Sequence, residues 1–259
     1  MKKIVMLLTI LAWLSCSAVP AFAQGAEPYH FGFKKSKNGQ LPSIAEEGFM
    51  SVVQKHQAIF LGDTAKKELY LTFDNGYENG FTADILNLLK EKRVPAAFFV
   101  TGHYVQDQPE LVKRMAGEGH IVGNHSWSHP DMTQLSAGQI KDELEKVRLA
   151  VARVTGRQEM PFVRPPRGIF GDRMLGACRE LGYTNVFWSV AYKDWDVKQQ
   201  KGMDFAYNSV MSQLHPGAVI LLHSVSSDNA RALGKIIDAA RQQGYEFKSL
   251  HQMTVKSYR

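Results

Sequence analysis

The sequence has few cysteines, and this scarcity excludes a fold built on disulfides. Two cysteines occur in 259 residues, and Cys16 lies in an N-terminal segment that we expect to be removed. Cys178 then stands alone, so the mature chain has no internal disulfide. It lies in an apolar pattern of helical spacing with Met174, Leu175 and Leu181, which predicts a buried structural thiol rather than a nucleophile.

The N-terminal apolar run is too short to cross a membrane. It extends from residue 4 to residue 14, well below the roughly 20 residues that a span needs. Two lysines precede it, and a stretch of small residues after it ends in Ala-Phe-Ala at residue 23. This is the pattern of a secretory signal peptide. We therefore predict a signal peptide over residues 1–23, export, and no membrane span after cleavage; an uncleaved anchor is the alternative.

Charge of neither sign dominates. The formal net charge is +6, and the two lysines of the predicted signal peptide supply two of these charges. The modest positive balance suits an exported protein that works near anionic wall polymers. No basic cluster with interleaved aromatic residues occurs, so nucleic acid is excluded as a partner.

The remaining chain divides into two regions of different patterning. Residues 24–66 have little periodicity, and we predict an N-terminal extension with one helix from Ser43 to about Gln54. Over residues 67–259, short apolar runs alternate with amphipathic helical patterns, which predicts one α/β domain with a parallel sheet. The longest helix is predicted from Ser136, as N-cap, to Val154, with Gly156 ending it. Periodicity leaves open whether the sheet is a barrel or doubly wound.

Polar residues follow several predicted strands, where α/β folds place their active sites. His125 and His129 are four residues apart, a spacing that lets two imidazoles bind one metal ion if the segment turns. Taken singly, the candidates have ordinary structural explanations: Asp74 precedes Asn-Gly and suits a turn, and His223 ends an apolar strand. The full set of candidates is Asp74, Asn75, Tyr77, His125, His129, Arg164, Arg167, Asp194, Trp195, Leu222 and His223.

In this order and spacing, these residues resemble the five motifs of the polysaccharide deacetylases, also called the NodB-homology or carbohydrate esterase family 4 enzymes. The resemblance covers about Glu68 to Ser249. It implies a distorted (β/α) barrel, usually of seven strands, and hydrolysis of acetyl groups from N-acetylated sugars.

The resemblance also implies a catalytic role for four residues. Asp74 matches the general base, and Arg164 matches the arginine that pairs with it. His223 matches the general acid, and Asp194 matches the carboxylate that tunes this histidine. Such a set suits amide hydrolysis, which needs an activated water and a proton donor for the leaving amine.

A divalent metal ion, zinc in our prediction, is the cofactor that the resemblance implies, with His125 and His129 as ligands. Most of the family has a second aspartate in the first motif as a third ligand, and Asn75 stands there in this chain. A neutral amide oxygen binds a divalent ion less tightly than a carboxylate. We predict Asn75 as a weaker third ligand. The site either works with His125, His129 and extra water as its inner shell or has decayed, and the presence of Asp74, Arg164, Asp194 and His223 favours a working site.

Other departures from the family pattern concern the substrate. The Asp-Asn-Gly-Tyr form of the first motif resembles the sporulation-type muramic acid deacetylases, which prepare muramic δ-lactam in spore cortex. Arg167 stands where the family commonly has an aromatic residue, and a guanidinium suits the lactyl carboxylate of N-acetylmuramic acid; a solvated surface arginine is the alternative. Tyr77, Trp195 and Leu222 are the other predicted substrate contacts, with Leu222 lining the acetyl pocket.

We therefore predict an exported, metal-dependent deacetylase of N-acetylmuramic acid that acts as a monomer on peptidoglycan strands in the cell wall or forespore intermembrane space. Three alternatives stay open. The chain could deacetylate N-acetylglucosamine or chitooligosaccharides, act as an O-acetyl esterase on xylan, or be a non-catalytic glycan-binding module whose metal site was abandoned at Asn75.

Overall fold

A computed structural model describes residues 28–34, 36 and 41–253. The signal peptide predicted over residues 1–23 lies outside the described residues, so its presence stays a prediction. None of the described helices has the length and apolar character needed to cross a membrane.

Strands and helices alternate from residue 68 onward, as the sequence pattern predicts. The strands are β1 (Tyr29–His30), β2 (Glu68–Asn75), β3 (Ala96–Val100), β4 (Ile121–Asn124), β5 (Phe162–Val163), β6 (Ile169–Phe170), β7 (Thr184–Asn185), β8 (Ala218–His223) and β9 (Glu246–Phe247). The helices are α1 (Met50–Lys55), α2 (Thr82–Lys92), α3 (Gly102–Asp107), α4 (Pro109–Gly117), α5 (Ala137–Thr155), α6 (Asp172–Glu180), α7 (Met203–Met211) and α8 (Ser227–Gln242). The helix predicted from residue 43 is shorter than expected, because Gly48 adopts a φ of 77° and separates a 3₁₀ turn from α1.

Seven strands form one parallel sheet in the order β7-β5-β4-β3-β2-β8, with β9 pairing to β2. Residues before β2 link the two edges of this sheet. Ile59 pairs with Val186 beside β7, and Leu61 pairs with Ala218 at the start of β8. The curled sheet is the distorted seven-stranded (β/α) barrel that the family resemblance implies.

The boundaries of α5 confirm the predicted capping residues. The Ser136 hydroxyl accepts the N–H of Gln139, and the Gln139 side chain accepts the N–H of Ser136, which forms a capping box. Gly156 ends the helix with a φ of 74°, a conformation that glycine adopts without steric cost. The buried apolar face of the helix comprises Ile140, Leu144, Val147, Val151 and Ala152.

The predicted N-terminal extension packs closely on the barrel. β1 pairs antiparallel with β6, and Phe31 is fully buried with its ring stacked on Phe187 at 4.5 Å between centroids. Since Ile59 and Leu61 pair with residues of the barrel wall, the end of the 24–66 region forms part of the barrel.

Cys178 lies in α6 and is fully buried. Burial raises the pKa of its thiol to about 12, which keeps the sulfur protonated and unreactive at neutral pH. The prediction of a structural thiol is therefore confirmed.

Candidate active site

Seven predicted site residues line a cavity of about 860 Å³ at the carboxyl ends of the parallel strands: Asp74, Tyr77, His125, His129, Arg167, Trp195 and His223. Arg164 and Asp194 do not line it but contact Asp74 and His223. Asp74 in β2 and His223 at the end of β8 are direct partners in the parallel register, and His125 follows β4. Successive side chains of a strand point to opposite faces, so Leu221 lines the cavity with His223, whereas Leu222 is fully buried in the core. The structure thus brings Leu221, and not the predicted Leu222, to the cavity wall.

Asp74 and Arg164 form a buried ion pair. The Nη1 group of Arg164 donates to Oδ1 of Asp74 at 2.7 Å, while its Nη2 donates to Thr72 and its Nε donates to the Val186 carbonyl. The guanidinium also lies 4.2 Å from the centre of the Phe99 ring. Burial is the largest single influence and would raise the pKa of Asp74, but the charges of Arg164, His125 and His223 and the hydrogen bond from Arg164 together outweigh it, so the pKa is lowered. Asp74 is therefore a fixed, ionised carboxylate.

Asp194 and His223 form a second pair at the same cavity. Nδ1 of His223 donates to Oδ1 of Asp194 at 2.7 Å, and Oδ2 of Asp194 accepts the backbone N–H of His223 at 2.8 Å and a side-chain N–H of Asn229. Burial is the largest single influence and would lower the pKa of His223, but the charge of Asp194, its hydrogen bond and the charge of Asp74 together outweigh it, so the pKa is raised. This histidine therefore keeps its proton above the ordinary pKa of imidazole.

His125 and His129 present two imidazoles to the cavity, with ring centres 4.9 Å apart. A carbonyl oxygen can only accept, so Nδ1 of His125 donates to the Arg164 carbonyl at 2.8 Å, which leaves Nε2 as the free lone pair of the neutral ring. Burial lowers the pKa of both histidines, that of His129 to about 4. Neutral imidazole with its second nitrogen held by a carbonyl is the form that binds metal ions, so this pair fits a divalent cation.

Asn75 lies in a different setting from the two histidines. Its side chain is fully buried, and Oδ1 accepts a hydrogen bond from the Ser224 hydroxyl at 3.2 Å. Within residues 28–34, 36 and 41–253, no group of three or more His, Cys, Asp and Glu side chains is arranged to hold a metal ion. The assignment of Asn75 as a third ligand stays a prediction.

Unusual backbone conformations shape the loops of the site. Ser126, His129 and Arg167 have φ values of 63°, 57° and 58°, in a region that costs free energy for residues with a Cβ and that is enriched at functional sites. Gly168, with a φ of 65°, follows Arg167, and a Cβ there would lie 2.7 Å from the ring of Trp188. These loops direct the side chains of His129 and Arg167 to the cavity.

Aromatic side chains form much of the remaining wall. Tyr77 and Trp195 line the cavity, as predicted for substrate contacts, and Trp195 lies 5.5 Å from the His223 ring between centroids. Sequence reasoning missed Phe33 and His103, which also line it. His103 lies three residues after β3, so its place at the end of a strand was a signal that could have found it. Phe33 lies in the aperiodic extension, which gave no such signal.

Comparison with known proteins agrees with this geometry. The polysaccharide deacetylase family model matches residues 61–186. The chain is 50% identical over 240 residues to the peptidoglycan-N-acetylmuramic acid deacetylase PdaA of Bacillus subtilis, which covers 93% of this chain and 91% of that protein. It is also 35% identical over 201 residues to a chitooligosaccharide deacetylase of a Bradyrhizobium species, in an alignment that covers 72% of this chain and 90% of that protein.

A solved structure gives the same result. The structure of Bacillus subtilis PdaA, a family 4 carbohydrate esterase, matches with a TM-score of 0.85 and 51% identity, over 88% of this chain and 97% of that chain. The motifs, the curled seven-stranded sheet and the sequence similarity agree, and the chain belongs to the polysaccharide deacetylase family.

Proposed function

We propose that the protein is a metal-dependent hydrolase that removes the N-acetyl group from N-acetylmuramic acid in peptidoglycan, as a step towards muramic δ-lactam in spore cortex. The proposal rests on one observation: two ion pairs lie at the same cavity, and one lowers the pKa of a carboxyl group while the other raises the pKa of an imidazole. Asp74 is held ionised by Arg164, and His223 is held protonated by Asp194. A base and an acid in those states are what amide hydrolysis needs. A glycan-binding module has no need of either state.

Asp74 acts as the general base in this proposal. Arg164 occupies Oδ1 of the carboxylate, and Oδ2 is the oxygen nearer to His125, at 3.5 Å from Nε2. Oδ2 would therefore accept a proton from the attacking water beside the two histidines. Until Asp74 accepts that proton, the guanidinium of Arg164 keeps its carboxylate oriented and ionised.

His223 acts as the general acid. Nδ1 is held by Asp194, so Nε2 is the nitrogen that can deliver a proton to the departing amine. The raised pKa of His223 favours the protonated form that this step requires. The products are acetate and a free amino sugar.

His125 and His129 would hold the divalent cation, for which we propose zinc. The chemistry that such an ion supplies when bound is polarisation of the scissile carbonyl. The Arg164 carbonyl fixes the tautomer of His125, so one residue orients both the base and a metal ligand. Asn75 completes the proposed metal site as the residue that replaces the usual aspartate.

Arg167 supports the choice of sugar. It lines the same cavity as His129 and Trp195. N-acetylmuramic acid differs from N-acetylglucosamine by a lactyl group that carries a carboxylate when no peptide is attached. A guanidinium can bind such a carboxylate with two parallel hydrogen bonds, so we assign this contact to Arg167, with Tyr77 and Trp195 against the sugar.

We also propose the domain arrangement and location that the sequence predicts. Residues 1–23 serve as a signal peptide, residues 24–66 as an N-terminal extension and residues 67–259 as the deacetylase domain. The protein then acts outside the cytoplasmic membrane as a monomer, on glycan strands of the wall or the forespore intermembrane space.

The test is acetate release from purified peptidoglycan and from peptide-free strands, with and without a chelator, followed by identification of the sugar that has lost its acetyl group. We expect metal-dependent release from muramic acid. Release from glucosamine alone would replace the substrate and keep the enzyme class. No release from any strand with metal supplied would overturn the proposal in favour of a binding module.

The matched variant is Arg167→Ala. Hydrogen bonds to charged groups contribute about 1.5–3 kcal/mol, so we expect the preference for muramic acid over glucosamine to fall at least about tenfold. Arg173→Ala, which removes an exposed arginine bonded to the backbone carbonyls of Leu135 and Thr133, should leave the preference unchanged. Equal discrimination by the Arg167 variant and the unmodified enzyme would remove Arg167 from substrate recognition.

A further inference from the structure

Three of the four exposed Phe, Tyr and Trp side chains in the described part of the chain line one cavity. Phe33, Tyr77 and Trp195 are 40%, 45% and 44% exposed and all face the catalytic cavity, and Phe205 is the fourth. Burying an aromatic side chain is favourable, so three rings left in solvent at one site indicate a surface that a ligand covers.

Phe33 and Trp195 form a stacked aromatic pair at the cavity. Their ring centres are 6.0 Å apart, and the two planes are within 26° of each other. Trp195 in turn lies 5.5 Å from the catalytic His223, between ring centroids. Phe33 is therefore connected to the catalytic histidine through Trp195, which places a second ring beside the one that neighbours the reacting centre.

The backbone on both sides of Phe33 is fixed to the barrel. The Trp188 indole donates to the Gly32 carbonyl at 2.9 Å, and the Phe31 N–H donates to the Gly168 carbonyl at 2.8 Å. Phe31 itself is fully buried. Phe33 is therefore exposed on a backbone that is held in place, because the residues before it are hydrogen-bonded to the loops that shape the active site.

A buried lysine holds the chain after Phe33. Lys34 is only 8% exposed, and its ammonium group pairs with Glu47 at 2.6 Å and lies 5.5 Å from the rings of both Phe31 and Phe49. Burial of a lysine is costly unless its charge is satisfied, and the carboxylate and the two rings satisfy it here. Phe33 is therefore fixed between two anchored neighbours with its ring at the cavity edge.

We propose that Phe33 and Trp195 form a carbohydrate subsite for the sugar adjacent to the reacting residue, so that the N-terminal extension selects glycan strands over single sugars. The inference rests on the proposed function and adds Phe33 as the residue that makes binding depend on the length of the glycan strand. Flat aromatic faces match the apolar face of a pyranose ring, and they do so with little loss of side-chain entropy because two dihedral angles fix the ring. The sugar bound at this subsite needs only an apolar ring face, and it needs no charged group.

The test compares Phe33→Ala, Phe33→Tyr and Phe205→Ala with the unmodified enzyme. The substrates are peptide-free glycan strands and the shortest fragment that the unmodified enzyme deacetylates. Phe205 is the matched control because it has the same 40% exposure and does not line the catalytic cavity. For Phe33→Ala we expect KM for strands to rise about 2- to 10-fold, the range for an aromatic contact, with kcat unchanged. Phe33→Tyr, which keeps the ring, and Phe205→Ala should match the unmodified enzyme.

The shortest fragment supplies the discriminating measurement. A fragment that does not reach Phe33 should be deacetylated equally by Phe33→Ala and by the unmodified enzyme. Unchanged KM for strands in Phe33→Ala, or an equal loss in Phe205→Ala, would overturn the subsite. A fall in kcat with unchanged KM would assign Phe33 to support of Trp195 and overturn a binding role.

A binding assay separates this inference from the proposed function. Sedimentation of each variant with insoluble, peptide-free strands reports binding without deacetylation. If the unmodified protein releases no acetate but binds strands about 2- to 10-fold more tightly than Phe33→Ala does, the proposed function fails and the subsite stands. Equal binding by both proteins would overturn the subsite whatever the activity.

Discussion

The two ion pairs of the active site have the same length and opposite chemical properties. Nitrogen and oxygen lie 2.7 Å apart in both Arg164–Asp74 and His223–Asp194. Arg164 has no exposed side-chain surface, whereas 21% of the His223 side chain is exposed. A guanidinium cannot lose its proton at physiological pH and an imidazole can. The first pair therefore fixes a charge, and the second pair holds a proton that can be given away.

The largest effect in this comparison should come from the fixed charge itself. Asp74→Asn keeps the shape of the side chain and removes the proton acceptor, and general base catalysis contributes about 10²–10⁴-fold. We expect kcat for acetate release to fall by that factor with little change in binding of glycan strands. Asp204→Asn alters an exposed carboxylate paired with Lys235 and should leave kcat unchanged. A loss under about tenfold in Asp74→Asn would assign the base to another group.

Replacement of Arg164, the partner of Asp74, should instead lower the stability of the fold. Arg164→Met leaves Asp74 buried without its counter-charge, and breaking a buried pair in this way costs about 3–5 kcal/mol. We expect the free energy of unfolding, measured in urea, to fall by about that amount. The double variant Asp74→Asn, Arg164→Met removes both charges and should recover much of the loss. Equal destabilisation of the single and double variants would mean that packing of Arg164 against Phe99 matters more than charge.

The second pair should respond to pH rather than to denaturant. The pKa of His223 lies above the ordinary 6.5 because the charge of Asp194, its hydrogen bond and the charge of Asp74 together outweigh burial and the opposing charge of Arg164. The general acid is therefore present below the raised pKa and is lost as pH rises through it. Asp194→Asn removes the main raising charge, so the alkaline limb of the kcat profile should move to lower pH. Asp196→Asn, two residues away on the same loop, is the control and should leave that limb in place.

These pairs also show how far the sequence alone could go. Asp74, Arg164, Asp194 and His223 were predictable because each belongs to a motif, and parallel strands bring their carboxyl ends together. The alternation of strands and helices predicted the barrel elements, and Ser136 and Gly156 marked the ends of α5. Motif order, however, carries no information about which side chains are buried, and the states of the two pairs follow from burial.

Other features depended on contacts between distant residues. The choice between Leu221 and Leu222 follows from strand register, which sets the face of each side chain. Phe33 reaches the cavity through hydrogen bonds and ring contacts with loops far along the chain, and the aperiodic extension gave no pattern from which to predict them. The 3₁₀ turn and Gly48 shortened the first helix for a local reason that periodicity does not detect.

The smallest effect should come from an exposed pair of the same length. Nζ of Lys92 lies 2.7 Å from Asp238, whose side chain is 54% exposed. Exposed pairs contribute about 0.2–1 kcal/mol and weaken as salt is added, so Asp238→Asn should lower the free energy of unfolding by no more than that at low salt. In 1 M salt the difference from the unmodified protein should shrink further, while the Arg164→Met difference should persist. If Asp238→Asn lowered the free energy of unfolding as much as Arg164→Met, the distance between the charges would determine what each pair contributes. The expected smaller effect would show that burial determines it, since the two pairs have the same length.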